Sequence, residues 1–409
     1  MLSWGNQFSI CCFLDDHQYH LDGNNFECVL AVNAERVLKT SYGTAFEQLR
    51  AFTDESQDWC FGHLAYDLKN ETEKLESENR DSVQFDDLFF FIPETILILR
   101  QEELLVGAKD HRHEAIADAV FHTMSSPTRQ SAPLEITSRF NKEAYISTIH
   151  LLQEHILRGD CYEINFCQEF YNDNACVDPL LLYRLLSKES PNPYSCYYKL
   201  EDKYLICASP ERYLRKIGNK VYSQPIKGTV RRNNSHPEQD AMNRETLQQS
   251  AKERSENIMV VDLVRNDLAR VCKPGSVKVD ELFGIYSFPQ VHHMISTISG
   301  ELEKGPHIVD LLKATFPMGS MTGAPKKRVM QLIEQYEESR RGLFSGAVGY
   351  ITPQKDMDFN VVIRSILYNA SKSYLSFHTG SAITYYSKAE DEYEECLLKA
   401  AAIKKVLND

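Results

Sequence analysis

Nowhere in the 409 residues is there a run of the ~18 consecutive apolar residues that a membrane-spanning helix needs. The opening "MLSWGNQFSICCFLDD" carries no basic leader, so the expectation is a cytoplasmic protein with no membrane partner. Positive charge is also short, with 45 Lys and Arg against 58 Asp and Glu and a formal net charge of -13. A nucleic acid partner would need a basic stripe to neutralise phosphates, and this balance argues against one. No CxxC pair occurs among the 11 cysteines, two of which, Cys11 and Cys12, are adjacent. That spacing fits buried thiols in a reducing compartment better than a disulfide framework or a zinc site. GxxxxGK[ST], GxGxxG after a strand and HExxH are missing, which removes support for phosphate-loop, dinucleotide and zincin chemistry. GxSxG and GxCxG nucleophile turns are missing too, so no recognisable glutaminase is encoded.

What is present divides at "MSSPTRQSAP" (124–133), a nonperiodic Ser/Pro-rich stretch that reads as a linker or long surface loop. Before it lie short β-like runs such as "FFFIPETILILR" (89–100). After it, Asn141 can cap the helix "KEAYISTIHLLQEHILRG", with Gly159 as its stop. Strand candidates then arrive in runs ("YEINFCQEFY", "YSCYYKL", "YLICAS", "YLRKIGNKVYSQPI"), followed by two long helical segments. Runs of strands, rather than strict alternation with helices, favour an α+β fold with mainly antiparallel sheets and helices packed outside. The organisation expected is an N-terminal α/β portion, residues 1–133, and a catalytic portion, residues 134–409.

Two helices carry paired carboxylates. The segment 245–268 is expected to be one helix, with Glu253, Glu256, Val260, Leu263 and Val264 on a single stripe. Burying two like charges there is costly unless a cation compensates; otherwise the helix simply emerges into solvent at that end. On the C-terminal helix, Glu392, Glu395 and Lys399 line the edge of an apolar stripe through Tyr393, Cys396, Leu397, Ala400, Ile403 and Leu407. Two ExxE pairs on separate helices could supply oxygen ligands to one Mg²⁺ that shares its shell with an anionic small molecule. Lys227, inside "PIKGTVRR", is either a solvated strand-end lysine or a nucleophile whose ammonium has been made easy to deprotonate.

From about Asn141 to Leu407 the chain resembles the chorismate-utilising enzymes. The matching blocks stand in the family's order: "GDCYEINFCQ", "CASPERYL", "PIKGTVRR", "KERSENIMVVDLVRNDLARVCKPGSV", "HHMIST", "FPMGSMTGAPK", "RGLFSGAVGY", "VVIRSI" and "DEYEECLLK". In the N-terminal part the best match is "FGHLAYDLKNE". The resemblance implies a sandwich of mainly antiparallel sheets flanked by outer helices, with the active site in a cleft. It implies Mg²⁺ bound by Glu256 and Glu395, with Glu253 and Glu392 supporting, and a substrate ring carboxylate held by that metal. It places Arg364 on the enolpyruvyl carboxylate, Lys399 near the ring carboxylate, and Glu211 as the general acid for the C4 hydroxyl. His293 falls near the reacting ring, unless it is a satisfied core histidine, and Thr229 and Ser320 fall in the pocket wall.

Lysine at 227 resembles the branch of the family that aminates chorismate at C4 through a covalent lysine adduct, giving 4-amino-4-deoxychorismate. Ammonia would then come from a separate glutamine amidotransferase subunit, and conversion to para-aminobenzoate would need another enzyme. Phe344 stands in place of the family's tyrosine, and the backbone cradle usually written GxG reads Gly380-Ser381-Ala382. Glu163 stands where the family carries glutamine or lysine; the water-adding branches need the lysine there, so Glu163 argues against them. The alternatives are component I of anthranilate synthase, for which Lys227 is the discriminating feature, and a non-catalytic module binding chorismate or tryptophan. The Leu-Leu-Glu-Ser stretch of tryptophan feedback sites is absent.

Overall fold

Apolar residues fall on both faces of the central strands, and that dictates a layered fold. In strand Cys28–Val32, Cys28, Leu30 and Val32 enter one core while Val29 and Ala31 enter another. In Leu88–Ile92, Leu88, Phe90 and Ile92 likewise face one way and Phe89 and Phe91 the other. A period of two with every position buried requires material on both sides of each sheet. A computed structural model describes residues 1–19, 26–109, 111–123, 133–233 and 235–408. Apart from Pro133, the Ser/Pro-rich stretch 124–133 lies outside the described residues.

Among those residues, an 11-stranded and a 10-stranded antiparallel sheet stack face to face. Helices Lys142–Leu157, Pro179–Glu189 and Ala389–Asn408 cover the outer face of the first sheet, and Ala45–Glu55, Ala251–Ala269 and Ile308–Thr315 that of the second. Between the sheets lies a third core, with Cys12, Cys196 and Leu205 from one side meeting Phe61, Phe89 and Phe91 from the other. Each fully buried phenylalanine contributes about 1.5–3 kcal/mol relative to exposure. This is the expected α+β sandwich with outer helices.

The described residues of the N-terminal portion contribute strands to both sheets. Ile10–Asp15 pairs with Tyr194–Leu200 in the first sheet, and Cys60–Leu64 pairs with Ala347–Ile351 in the second. The run "FFFIPETILILR" is divided between the sheets, Leu88–Ile92 in the second and Thr95–Arg100 in the first. Pro93 separates them and cannot donate to a ladder.

Local signals behave as their chemistry demands. Asn141 accepts a hydrogen bond from Ala144 N and opens helix Lys142–Leu157, and Gly159, at φ 83, closes it. The single helix expected over 245–268 is broken. Pro237–Gln249 ends at Ser250, whose backbone is extended (ψ 113) and whose hydroxyl accepts from Glu253 N to start Ala251–Ala269. An N-cap serine offers the backbone an alternative to continuing the helix, and here it takes it. No helix of the described residues is long and apolar enough to cross a membrane.

Candidate active site

Two crossings between the sheets lie side by side and carry the first candidate pair. The chain leaves the first sheet at Ser209 and enters the second at Arg212, with Glu211 in between. It leaves the second at Asn360 and returns to the first at Ser365, with Arg364 in between at φ 49. Val361 N donates to Glu211 O, and Ala208 N donates to Arg364 O, so the crossings are stitched together. Both side chains are thereby aimed from irregular backbone into the seam between the sheets.

Glu211 is buried, and burial pushes its carboxyl up to about 7, partly offset by a hydrogen bond from Ser320 and by the Lys227 charge. A carboxyl that is half protonated near neutral pH can serve as a general acid. Burial also pulls the Arg364 guanidinium down to about 10, with Glu211 opposing. Among the described residues Arg364 makes no ion pair within 4 Å; its Nη2 donates to His293 Nε2 at 3.4 Å. A desolvated cation without a close carboxylate is poised for an anionic ligand. The other nitrogen, His293 Nδ1, lies 2.7 Å from Thr229 Oγ1. Burial, then Arg364, hold His293 well below its usual range, so the ring is neutral.

Lys227 lies on Ile226–Arg231, an edge strand of the second sheet, and reaches across to the first. Its Nζ donates to Glu163 Oε1 at 2.6 Å and to Asn165 Oδ1 at 3.3 Å. At 8% exposure it is not the solvated strand-end lysine. The expected lowering of its pKa is overturned, however. Burial does favour the neutral amine, but Glu163, then Glu256 and Glu211, outweigh it and hold the ammonium above its usual range.

The four glutamates stand on two helices that Lys252 links. Glu256 is buried and Glu253 half-buried on Ala251–Ala269, so this stripe does not emerge into solvent. On Ala389–Asn408, Glu392 is 1% exposed rather than at the edge of the stripe. Lys252 bridges the pairs, donating to Glu392 Oε1 at 3.2 Å with Glu256 Oε1 at 3.9 Å. Burial pulls Lys252 down, but Glu392 and Glu256 outweigh it and lift it to about 12. Burial raises Glu256 to about 7 despite Lys227, and raises Glu253 as well. Burial opposes ionisation of Glu395 too, but Lys399, 2.8 Å away, holds that carboxyl below its usual range.

With Lys252 between them, no three acidic, His or Cys side chains of the described residues form a ready metal shell. Even so, Glu256 Oε1 and Glu392 Oε2 are buried acceptors with no hydrogen-bond partner. Orphaned carboxylate oxygens at the meeting of two ExxE pairs fit a hard divalent cation that would displace the Lys252 ammonium.

The remaining sequence-expected residues fall in several places. Gly380-Ser381-Ala382 is not a loop: it lies inside strand Tyr374–Ile383, opposite Cys167, Phe166 and Asn165. A Cβ on Gly380 would meet Phe166 O at 1.9 Å, so the glycine is required by the neighbouring strand. Gly380 O accepts from Lys399 Nζ at 2.9 Å, tying that strand to the glutamate helix. Phe344 is packed in the core between the sheets, stacked on His378 with ring centroids 4.9 Å apart. Lys252 and Asn165 escaped the sequence reading, as did the pairing of Glu163 with Lys227. Lys252 was legible as the i, i+4 partner of Glu256 in "KERSE", whereas Asn165 and the Glu163 partnership with Lys227 involve residues more than 60 positions apart and left no local signal.

Comparison with known proteins places this architecture. The family described as chorismate binding enzyme matches residues 10–405. Aminodeoxychorismate synthase component 1 of Bacillus subtilis is 30% identical over 367 residues, covering 86% of this chain and 77% of that protein. Anthranilate synthase component 1 of Thermus thermophilus is 32% identical over 397 residues, covering 93% and 85%. The crystal structure of anthranilate synthase component I from Streptococcus pneumoniae superposes with a TM-score of 0.81 at 25% identity, covering 92% of this chain and 91% of that one. The chain belongs to the chorismate-binding enzyme family. It is a chorismate-utilising enzyme, and its relatives include proteins named for two different reactions of that substrate.

Proposed function

We propose that this enzyme aminates chorismate at C4, giving 4-amino-4-deoxychorismate. The observation that carries the reading is Lys227, a buried amine beside Glu211, a buried carboxyl that titrates near 7. Arg364 grips the enolpyruvyl carboxylate with a planar fork, and neutral His293 with Thr229 lines the ring. Glu256 and Glu395, supported by Glu253 and Glu392, would hold Mg²⁺, which when bound neutralises and orients the ring carboxylate beside Lys399.

Lys227 Nζ forms a bond to C2 of the ring. The two ring double bonds shift, the C4–O bond breaks, and the hydroxyl leaves as water with the Glu211 proton. Ammonia then forms the C4–N bond, the double bonds shift back, and the Nζ–C2 bond breaks. Glu211, now a carboxylate, takes the proton that the new ammonium must lose. The relatives' designation as component 1 supports a separate ammonia-supplying subunit, here a glutamine amidotransferase. All 11 cysteines are free and ten of them buried, which supports a reducing, cytoplasmic setting.

The test is product identification after incubation with chorismate, MgCl₂ and ammonium. A non-fluorescent aminated product that a lyase converts to para-aminobenzoate, lost in Lys227→Ala, supports the proposal. Fluorescent anthranilate with release of pyruvate, undiminished in Lys227→Ala, overturns it.

A further inference from the structure

The Lys227–Glu163 bond joins an edge strand of one sheet to a strand of the other, and both side chains are withdrawn from water. Glu163 is 1% exposed, and its second oxygen, Oε2, is buried with no hydrogen-bond partner. A purely structural ion pair would be expected to satisfy both oxygens, because an unpaired buried acceptor costs about 1–3 kcal/mol. The second neighbour of Nζ, Asn165 Oδ1, is an amide oxygen that can orient the amine but not deprotonate it.

We propose that Glu163 is the proton acceptor for Lys227: the ammonium proton passes from Nζ to Glu163 Oε1 across their 2.6 Å hydrogen bond before attack, and returns when the lysine is expelled. This inference rests on the C4-amination reading above. The step balances, since the N–H bond breaks as the O–H bond forms. The pair goes from ammonium and carboxylate to amine and carboxylic acid, and its net charge stays at zero. In a site shielded from water, that constancy favours internal transfer over release of the proton to solvent.

The surroundings argue the same way. Lys227 is faced by Glu163 from a strand of the other sheet, by Glu256 and Glu253 from helix Ala251–Ala269, by Glu211 from the crossing and by Glu395 from the C-terminal helix. Glu163 is faced by Lys227 and Glu256. So much negative charge keeps a proton on the amine at neutral pH, and a nucleophile has to shed it to a group within reach. Glu163 is the one carboxylate that the described residues place in hydrogen-bond contact with Nζ. A glutamine at this position could hold the lysine but would leave its proton to be lost to solvent.

The two routes differ in their pH signature. The test is the single-turnover rate of adduct formation, read by intact mass after mixing the whole chain with chorismate and MgCl₂ without ammonia, from pH 6 to 10. In Glu163→Gln the rate falls roughly 10²-fold or more near pH 7. Its deficit against wild type shrinks by about tenfold per pH unit as the amine is freed by solvent. Glu163→Asp keeps the wild-type pH profile at a lower rate. A ratio of wild type to Glu163→Gln that stays constant with pH, while Lys227→Ala forms no adduct, overturns the role of Glu163 alone. No adduct in wild type overturns the nucleophile reading, and this inference with it. Should Glu163→Gln not fold, the wild-type profile decides: a rate that itself drops tenfold per unit below pH 8 overturns internal transfer.

Discussion

Gly228 has no Cβ, and one placed there would lie 3.0 Å from Glu253 Oε2 and 3.0 Å from Leu247 Cδ1. The residue after Lys227 therefore leaves no room for a side chain beside that carboxylate of the glutamate helix. Its φ of +88 produces the irregularity in pairing between Ile226 and Thr229 that turns the lysine toward Glu163. Gly228→Ala would cost about 1–2 kcal/mol from the left-handed backbone alone. The methyl would also push on Glu253, so the variant should need more Mg²⁺ for half-maximal activity. Unchanged Mg²⁺ dependence in a folded variant would show that this contact is incidental.

Under the proposed C4 amination, Glu211→Gln should lower kcat by roughly 10²–10⁴-fold, because the C4 hydroxyl would leave without its proton. The wild-type acid titrates near 7, so turnover limited by that step falls as pH rises above that value. The basic limb should vanish in the variant. A variant that retained it would assign the limb to another group.

Glu256 titrates near 7 in the folded chain and at its ordinary 4.5 when unfolded. Between those values the folded chain keeps a proton that the unfolded chain releases, so stability is lost as pH rises through the window and stays low above it. Glu256→Gln should therefore raise the melting temperature at pH 8 and leave it little changed at pH 4, while abolishing Mg²⁺-dependent turnover. Destabilisation at pH 8 would mean that the contacts of Glu256 with Lys227 and Lys252 outweigh its desolvation.

Ser250→Ala removes the hydroxyl that caps the glutamate helix and should cost about 1 kcal/mol. The first turn it frays carries Glu253, so weaker Mg²⁺ binding should accompany the loss. Isothermal titration with MgCl₂ checks this, and equal affinity in variant and wild type would count against it.

Elements whose determinants are local could be read directly. The Asn141-capped helix and the long strand from Glu163 follow from a cap and an aromatic run, whereas "YLRKIGNKVYSQPI", read as one strand candidate, turns at Gly218 into the strand pair Arg212–Ile217 and Lys220–Gln224. The helix break at Ser250 was hidden because "SAKERSE" continues a helical pattern that only the cap interrupts. The assignment of residues 89–100 to two sheets depends on strands outside the run itself, Arg36–Thr40 and Cys60–Leu64 for its first half and Cys28–Val32 for its second. At the site, spacing paired the four glutamates, whereas Glu211, Arg364 and the role of Lys227 came from the resemblance to the family. The protonation of Lys227 was misjudged because it is set by Glu163, a contact between sheets that no local window contains.

The interleaving of early and late strands bears on how the chain is made. Leu64 pairs with Ala347, and Ile10 with Leu200, so each of these early strands waits for one of its two neighbours until residue 200 or residue 351 has been made. During that wait each nascent strand presents an open edge to any other chain. A fragment beginning at residue 134 would keep every proposed catalytic group yet expose the edges of Tyr194–Leu200 and Ala347–Ile351. Such a fragment should be recovered in inclusion bodies, and the intact protein should depend on chaperones while it is on the ribosome.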